Sequence, residues 1–211
     1  MKKWKCEVCG YIHEGDAPPD TCPVCGADKS RFVLMEEESP SEAAAAEPAL
    51  QPVEAEEAPS PPAADSPLEF VYQQVLKHHL HPISVHIPNG VVPMTVIFLF
   101  LSAVFGFAGL SKAAFYNLAF VSLSMPLVLV TGVVEWQRRY GGAWTRVFIV
   151  KLISGVLVTI LAVLLALWLM VSPDVVAEGS AMRFQFLFVN VIMLAAAGIA
   201  GHLGGKLVFK E

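Results

Sequence analysis

The four cysteines of this 211-residue chain form two Cys-x-x-Cys pairs, and a glycine follows each pair. Cys6 and Cys9 make the first pair, and Cys22 and Cys25 make the second after an interval of 12 residues. Four thiolates spaced in this way can converge on one tetrahedral metal ion, and both iron and zinc accept such a ligand set. The glycines allow tight turns that aim backbone N–H groups at the sulfur atoms. The spacing therefore predicts a metal site and leaves the choice between iron and zinc open.

Five of the six histidines lie beside the hydrophobic stretches of the second part of the chain. His78, His79, His81 and His86 precede the first stretch, and His202 lies at the end of the last. Four membrane crossings would return all of them to one membrane face. Imidazoles that meet at one end of a helical bundle can act as axial ligands of a haem.

Small residues accompany the last of these histidines. Ala195, Gly198, His202 and Gly205 are spaced 3, 4 and 3 residues apart, so they share one face of a helix. Such a face leaves room for a flat group, although small residues also allow helices to pack closely without a cofactor. The candidate ligands for a b-type haem are His86, His202 and His81.

Glu135 is the one acidic residue at the end of a hydrophobic stretch on the histidine side of the membrane. It could orient an imidazole or carry protons. The favoured interpretation is an ion pair with Arg138 and Arg139, because residues three and four apart are neighbours on a helix.

The composition is that of a membrane protein, with 55% apolar and 16% charged residues. Four stretches are long enough to cross a hydrocarbon core as helices, and a tiny loop makes the first two an antiparallel hairpin. Pro126 is expected to kink the second. No basic run interleaved with aromatic residues is present, which argues against a nucleic-acid partner. The predicted spans are residues 91–110, 113–134, 147–171 and 184–204.

The basic residues are distributed unevenly over the two sides of these spans. By the positive-inside rule, the richer side is the cytoplasmic one, so both chain termini are predicted to lie in the cytoplasm of a multi-pass inner-membrane protein. Only Lys112 and Arg183 fall on the other side. The cytoplasmic set comprises Lys77, Arg138, Arg139, Arg146, Lys151, Lys206 and Lys210.

The remaining regions divide the chain into four parts. Residues 1–35 are too few to form a stable hydrophobic core alone, so a bound metal ion is expected to stabilise their fold. The side chains expected to pack around the metal site are Trp4, Tyr11, Phe32 and Val33. Residues 36–67 hold seven prolines and nine acids and are predicted to form a disordered linker. Residues 68–90 form a membrane-surface segment with a helix near 68–80, and residues 91–211 form the transmembrane domain.

Two resemblances support this division. The cysteine segment, with Cys-Glu-Val-Cys-Gly-Tyr and Cys-Pro-Val-Cys-Gly-Ala, resembles the short rubredoxin of rubrerythrins, although the interval between the cysteine pairs is shorter than in full-length rubredoxins. That resemblance implies one iron held by the four cysteines. The segments His-Pro-Ile-Ser-Val-His-Ile-Pro and Gly-His-Leu-Gly-Gly-Lys-Leu-Val resemble the DUF2231 family of four-helix bacterial membrane proteins, with Ile87 where phenylalanine is usual. The predicted fold is thus a small β-rich rubredoxin-like domain joined to an all-α four-helix transmembrane bundle.

These features predict a membrane-anchored electron carrier. Single electrons would pass between a cytosolic Fe(Cys)4 centre and a membrane partner, either a b-type haem or a quinone. A rubredoxin reductase or another cytosolic redox protein is the expected soluble partner, because the chain has no nucleotide-binding glycine loop. Two alternatives stay open: a membrane oxidoreductase that reduces quinone or oxygen, and a zinc-ribbon adaptor without a redox role.

Overall fold

A computed structural model describes residues 2–35 and 66–210 of the chain. The predicted linker, residues 36–67, lies outside the described residues except for its last two positions.

The N-terminal residues form a three-stranded antiparallel sheet in the order β2-β1-β3. The strands are β1 (Lys3–Cys6), β2 (Ile12–Glu14) and β3 (Phe32–Met35). Trp4, Tyr11 and Phe32 pack around the cysteines as predicted. The prediction for Val33 is wrong. Successive side chains of a strand point to opposite faces of the sheet, so Phe32 of β3 is buried and Val33 is exposed.

Helix α1 (Pro67–Lys77) follows, close to the predicted helix at 68–80. It begins where the Ser66 hydroxyl accepts a hydrogen bond from the amide of Glu69, with proline in the first turn. The Glu69 carboxylate lies 2.6 Å from the Arg138 guanidinium, which also stacks over the Tyr72 ring. These contacts hold α1 against the end of a transmembrane helix.

Four long apolar helical segments make up the rest of the structure, and each is long enough to cross a membrane. The first is divided into a short α2 and a long α3 that ends five residues before the predicted boundary. Gly106 ends it, because its backbone is left-handed, with φ of 70°. The helices are α2 (Leu80–Ser84), α3 (His86–Phe105), α4 (Ala108–Arg139), α5 (Arg146–Val171) and α6 (Arg183–Phe209).

The long helices pack as a closed ring in which α3 contacts α4 and α6, and α5 contacts the same two helices. Their shared core is apolar and includes Leu99, Leu118, Leu165 and Phe186, all almost completely buried. The two-residue connection between α3 and α4 forms the predicted hairpin, and α4 continues through Pro126. This arrangement brings α2, the end of α4, the start of α5 and the end of α6 together at one end of the bundle.

Candidate metal centre and adjoining cavity

The four cysteine sulfur atoms converge at the edge of the N-terminal sheet, and all lie within 4.8 Å of one another. The Cys6 and Cys25 Sγ atoms are 3.8 Å apart, and the Cys9 and Cys22 Sγ atoms are 3.7 Å apart. A tetrahedral ion with metal–sulfur bonds of about 2.3 Å separates its sulfur ligands by about 3.8 Å. The sulfur positions therefore fit a tetrathiolate metal site.

Two matching backbone turns produce this convergence. In the first, the amide of Gly10 donates to the carbonyl of Cys6 over 2.8 Å, and in the second, Gly26 donates to Cys22 over 2.9 Å. Both glycines have left-handed φ values, 72° and 73°, which other residues adopt only with strain. The cysteine spacing and the two glycines thus set the geometry of the site locally.

The thiols shift one another's pKa values through hydrogen bonds between their sulfur atoms. Hydrogen bonding from Cys25 lowers the pKa of Cys22 to about 2, whereas hydrogen bonding with Cys22 raises the pKa of Cys9 to about 12. The pKa of Cys25 is raised as well, for the same reason. Adjacent thiolates repel one another, so a cation that prefers sulfur ligands is needed to hold all four ionised.

The metal domain rests on the end of the helical bundle. The Thr145 hydroxyl, just before α5, donates a hydrogen bond to the carbonyl oxygen of Cys25. At the far end of α6, the Lys210 ammonium lies 3.5 Å from the carbonyl oxygen of Gly10. Both cysteine turns are therefore joined to the bundle by hydrogen bonds to their backbone.

Apolar side chains fill the space between the metal domain and the bundle. Phe148 of α5 and Leu207 of α6 are buried in the same cluster as the four cysteines, with Trp136 and Tyr140 packed at its edge. Burial raises the pKa of Tyr140. The metal domain and the bundle thus share one apolar core.

These four side chains also line a cavity of about 370 Å³ inside the end of the bundle. Its walls come from α2, α3, α4, α5 and α6, and they combine aromatic rings with small residues. Few polar side chains reach it. Besides the four just named, the lining includes His81, His86, Glu135, Trp144, Lys151, Gly132, Gly155, Gly201, Gly204 and Gly205.

His81 is the buried imidazole of this cavity, with 7% of its surface exposed. Its Nδ1 lies 3.2 Å from the carbonyl oxygen of Val128 and 3.3 Å from the Thr131 hydroxyl. A carbonyl oxygen only accepts hydrogen bonds, so Nδ1 carries the proton and Nε2 of the neutral ring carries the lone pair. Nε2 has no hydrogen-bond partner in the described part of the chain. Gly132 makes room for the ring, since a Cβ there would lie 2.8 Å from His81 Cε1.

Besides the histidines, the described lining of the cavity carries one carboxylate, Glu135, and one amine, Lys151. Glu135 is 8% exposed and accepts a hydrogen bond of 3.2 Å from Arg139, as the helical spacing predicts. Arg138, the other predicted partner, pairs with Glu69 instead, because α1 packs beside it. Lys151 reaches the cavity from α5 and lies against α6 at Gly204.

The structure brings only some of the predicted histidines together. His86 lines the cavity but is largely exposed, and His202 is exposed and lies outside the lining. Of the predicted small-residue face of α6, Gly205 lines the cavity, whereas Ala195, Gly198 and His202 do not. The other small residues of α6 at the cavity are Ala197, Ala200, Gly201 and Gly204. The sequence did not indicate Gly132 or Thr145 as site residues. The sequence signal that could have identified Lys151 as a site residue is its position, one helical turn inside the apolar third span.

Two family models match the chain. The model described as "Rubrerythrin, rubredoxin-like domain" matches residues 4–33, and the model described as "Predicted membrane protein (DUF2231)" matches residues 77–211. No solved structure matches the chain.

Three similar curated proteins each match less than a fifth of this chain. Reverse rubrerythrin-1 of Clostridium acetobutylicum is 58% identical over 38 residues, which are 18% of this chain and 21% of that protein. Rubrerythrin of Nitratidesulfovibrio vulgaris is 48% identical over 33 residues, 16% of this chain and 17% of the relative. The chain thus spans about a fifth of the length of these two proteins.

Rubredoxin-2 of Chlorobaculum tepidum is 45% identical over 52 residues, covering 17% of this chain and 100% of that protein. The cysteine domain is therefore similar to a whole rubredoxin as well as to part of a rubrerythrin. The DUF2231 model covers well over half of the chain and all four apolar segments. The chain belongs to the DUF2231 family of predicted membrane proteins and carries a rubrerythrin-type rubredoxin-like domain at its N-terminus.

Proposed function

We propose that this protein is a membrane-anchored electron carrier in which a tetrathiolate iron centre exchanges single electrons with a partner held in the bundle. One observation carries the proposal: the metal domain and the cavity share the buried side chains of Phe148 and Leu207. A redox centre that packs directly against a cavity can exchange electrons with a molecule bound there, because neither of them has to diffuse to the other.

Iron is the proposed metal because the relatives of this domain are rubredoxins and rubrerythrins. Bound iron would supply a ferric–ferrous couple that takes or gives one electron. The protein holds the ion with Cys6, Cys9, Cys22 and Cys25. Backbone N–H groups of the cysteine turns and the burial of the sulfur atoms tune its potential.

The cytoplasm is the proposed location of the metal domain. Seven basic residues flank the spans on the metal-domain side, against two on the other side. A cytosolic rubredoxin reductase or a similar redox protein is the proposed soluble partner. Exposed side chains of the small sheet, such as Ile12 and Val33, are available for that encounter.

The bundle partner is either a haem or a quinone. For haem, His81 offers a buried lone pair inside the cavity, His86 is exposed at the lining, and His202 stays a predicted ligand outside it. A quinone- or oxygen-reducing enzyme is a second candidate function, favoured by the presence of Glu135 and Lys151 in the same cavity.

A visible spectrum of the purified full-length protein, together with metal analysis, tests the proposal. We expect about one iron per chain and ferric tetrathiolate absorption that dithionite bleaches. Cys22→Ser should abolish or strongly shift this absorption, whereas Ser30→Ala, in the same domain, should leave it unchanged. A colourless protein that contains one zinc per chain would contradict the proposal and favour the zinc-ribbon adaptor.

A further inference from the structure

We propose that the cavity binds the ring of a lipid-soluble quinone. The binding site is argued from geometry, and its redox use rests on the electron-transfer function proposed above. The ligand class is a benzoquinone or naphthoquinone with an apolar tail, which is a flat ring bearing two oxygen atoms on opposite edges.

His81 supplies the hydrogen-bond acceptor that a reduced quinone requires. Its Nδ1–H is held by the carbonyl of Val128, so the Nε2 lone pair is oriented by a backbone group. Nε2 is buried and has no partner among the described residues. A buried polar atom without a partner is costly, and a hydroquinone hydroxyl would satisfy it by donating a hydrogen bond.

Lys151 supplies a donor in the same cavity. An ammonium group can only donate, so it suits the carbonyl oxygen of the oxidised ring. The two residues come from different helices, α2 and α5, and both line the same cavity. This combination fits a ligand whose oxygens change from acceptors to donors on reduction.

The walls of the cavity fit a flat ring. Trp136 and Trp144 stand edge to face with their centroids 4.6 Å apart, and the Trp136 indole is fixed by a hydrogen bond of 2.9 Å to the carbonyl of Ala143. Gly205 of α6 leaves open space at the cavity wall, because a Cβ there would meet no other atom within 4 Å. The volume of 370 Å³ lies in the range of small-molecule sites, about 300–1,000 Å³.

The cavity also has an exposed side. Leu152 lines it, is 40% exposed and lies in α5, one of the helices long enough to cross a membrane. An exposed apolar side chain of a membrane-spanning helix faces hydrocarbon or its boundary, so a ligand dissolved in the bilayer can enter on this side and leave its tail outside.

A haem accounts less well for the same site. An electron-transferring b-type haem is held by imidazoles on opposite faces of the ring. Within the described lining, His81 is the single buried histidine, and His86 follows five residues later at the start of the adjoining helix and is largely exposed. No imidazole of the lining lies on α4, α5 or α6, where a second axial ligand would be needed.

A matched pair of glycine substitutions on α6 tests whether the cavity is the binding site. Gly205 lines the cavity and Gly198 does not, and at both positions a new Cβ would meet open space. Gly205→Phe should therefore fill the cavity, whereas Gly198→Phe should extend toward lipid. Both changes replace a helical glycine by the same residue.

The assay uses the full-length protein in detergent, with 2-methyl-1,4-naphthoquinone as the probe and tryptophan fluorescence as the readout. We expect saturable quenching, with affinity at least about tenfold weaker in Gly205→Phe and unchanged within about twofold in Gly198→Phe. Lys151→Met should weaken binding of this oxidised probe about tenfold, and His81→Phe should weaken binding of its dithionite-reduced hydroquinone about tenfold, because each variant removes one buried hydrogen bond to that form. His78→Phe, at an exposed position, is their control.

Quenching that does not saturate, or equal affinities for Gly205→Phe and the wild type, would overturn the proposal. So would a Soret band in the purified protein that disappears in His81→Phe, because it would identify the ligand as haem. Zinc-loaded protein distinguishes the quinone-binding proposal from the electron-transfer proposal. Zinc has no redox role, so this protein should bind the probe with normal affinity even if the electron-transfer proposal is wrong.

Discussion

At the scale of single residues, the position of the His81 imidazole depends on the absence of a side chain at Gly132. The imidazole lies against Gly132 and is held by two groups of the same helix, the Val128 carbonyl and the Thr131 hydroxyl. Any side chain at position 132 would occupy the space of the ring. The orientation of Nε2 is therefore set by α4 rather than by α2, which carries the histidine.

We expect Gly132→Ala to displace the imidazole and to destabilise the bundle by about 1–3 kcal/mol, the usual cost of overpacking. Thermal unfolding in detergent measures the stability, and naphthoquinone affinity should fall in parallel. Gly109→Ala on the same helix is the control, since its new Cβ meets open space and should be neutral or stabilising. Equal effects of the two substitutions would contradict this account.

The metal ligands could be predicted from the sequence, and the cavity could not. Cys6 and Cys9 are brought together by a local turn, and the glycine after each pair signals that turn. By contrast, the partners of His81 lie 47 and 50 residues away on another helix. The sequence indicates that His81 and His202 lie at one membrane face. Which of them lines the cavity depends on the rotation of each helix about its axis, and the sequence does not determine that rotation.

At the scale of elements, the contacts that join α1 to the end of α4 include an ion pair and a ring contact. Glu69 and Arg138 are 69 residues apart in sequence, and Arg138 also covers Tyr72. Leu68, Phe70 and Val71 of the same helix are exposed. Such an apolar face is suited to the membrane boundary, which is where the sequence predicts this helix to lie.

Glu69→Gln should loosen α1 by less than about 1 kcal/mol, because both side chains of the pair are partly exposed and screened. Faster hydrogen exchange of the α1 amides, with unchanged exchange in α3–α6, is the expected result. Glu178→Gln, in the loop between α5 and α6, is the control. Unchanged exchange in α1 would mean that the apolar contacts alone hold the helix.

The boundaries of the elements were predicted with uneven success. Spans two to four agree with α4, α5 and α6 to within about five residues at each end, because long apolar runs identify them. The helix of the first span begins earlier than predicted, because α3 starts at His86 and contains Pro88 in its first turn. Proline in the first turn of a helix loses no hydrogen bond, so Pro88 does not end or delay the helix.

At the scale of the whole molecule, the metal domain is positioned by a few contacts with the bundle. The Thr145 hydroxyl bonds the carbonyl of Cys25, a metal-ligand residue, and makes no cap for α5. Removing it should therefore weaken docking without unfolding the helix.

We expect Thr145→Val to slow electron exchange between the metal centre and bound quinone, with the tetrathiolate spectrum unchanged. Stopped-flow mixing of reduced protein with the naphthoquinone measures the rate. Thr159→Val is the control, because that hydroxyl bonds only the carbonyl of Gly155 within its own helix. A rate unaffected by Thr145→Val would show that this contact does not limit the exchange.

The shared side chains of Phe148 and Leu207 have a further consequence, which is thermodynamic linkage. Each packs in the cluster of the metal domain and also lines the cavity, so an occupant that binds the docked and undocked forms with different affinities shifts the docking equilibrium of the metal domain. The shift must be reciprocal: docking changes the affinity for the occupant by the same factor. An occupant that binds the docked form more tightly would keep the metal domain on the bundle for longer, and an empty cavity would let it dissociate more often.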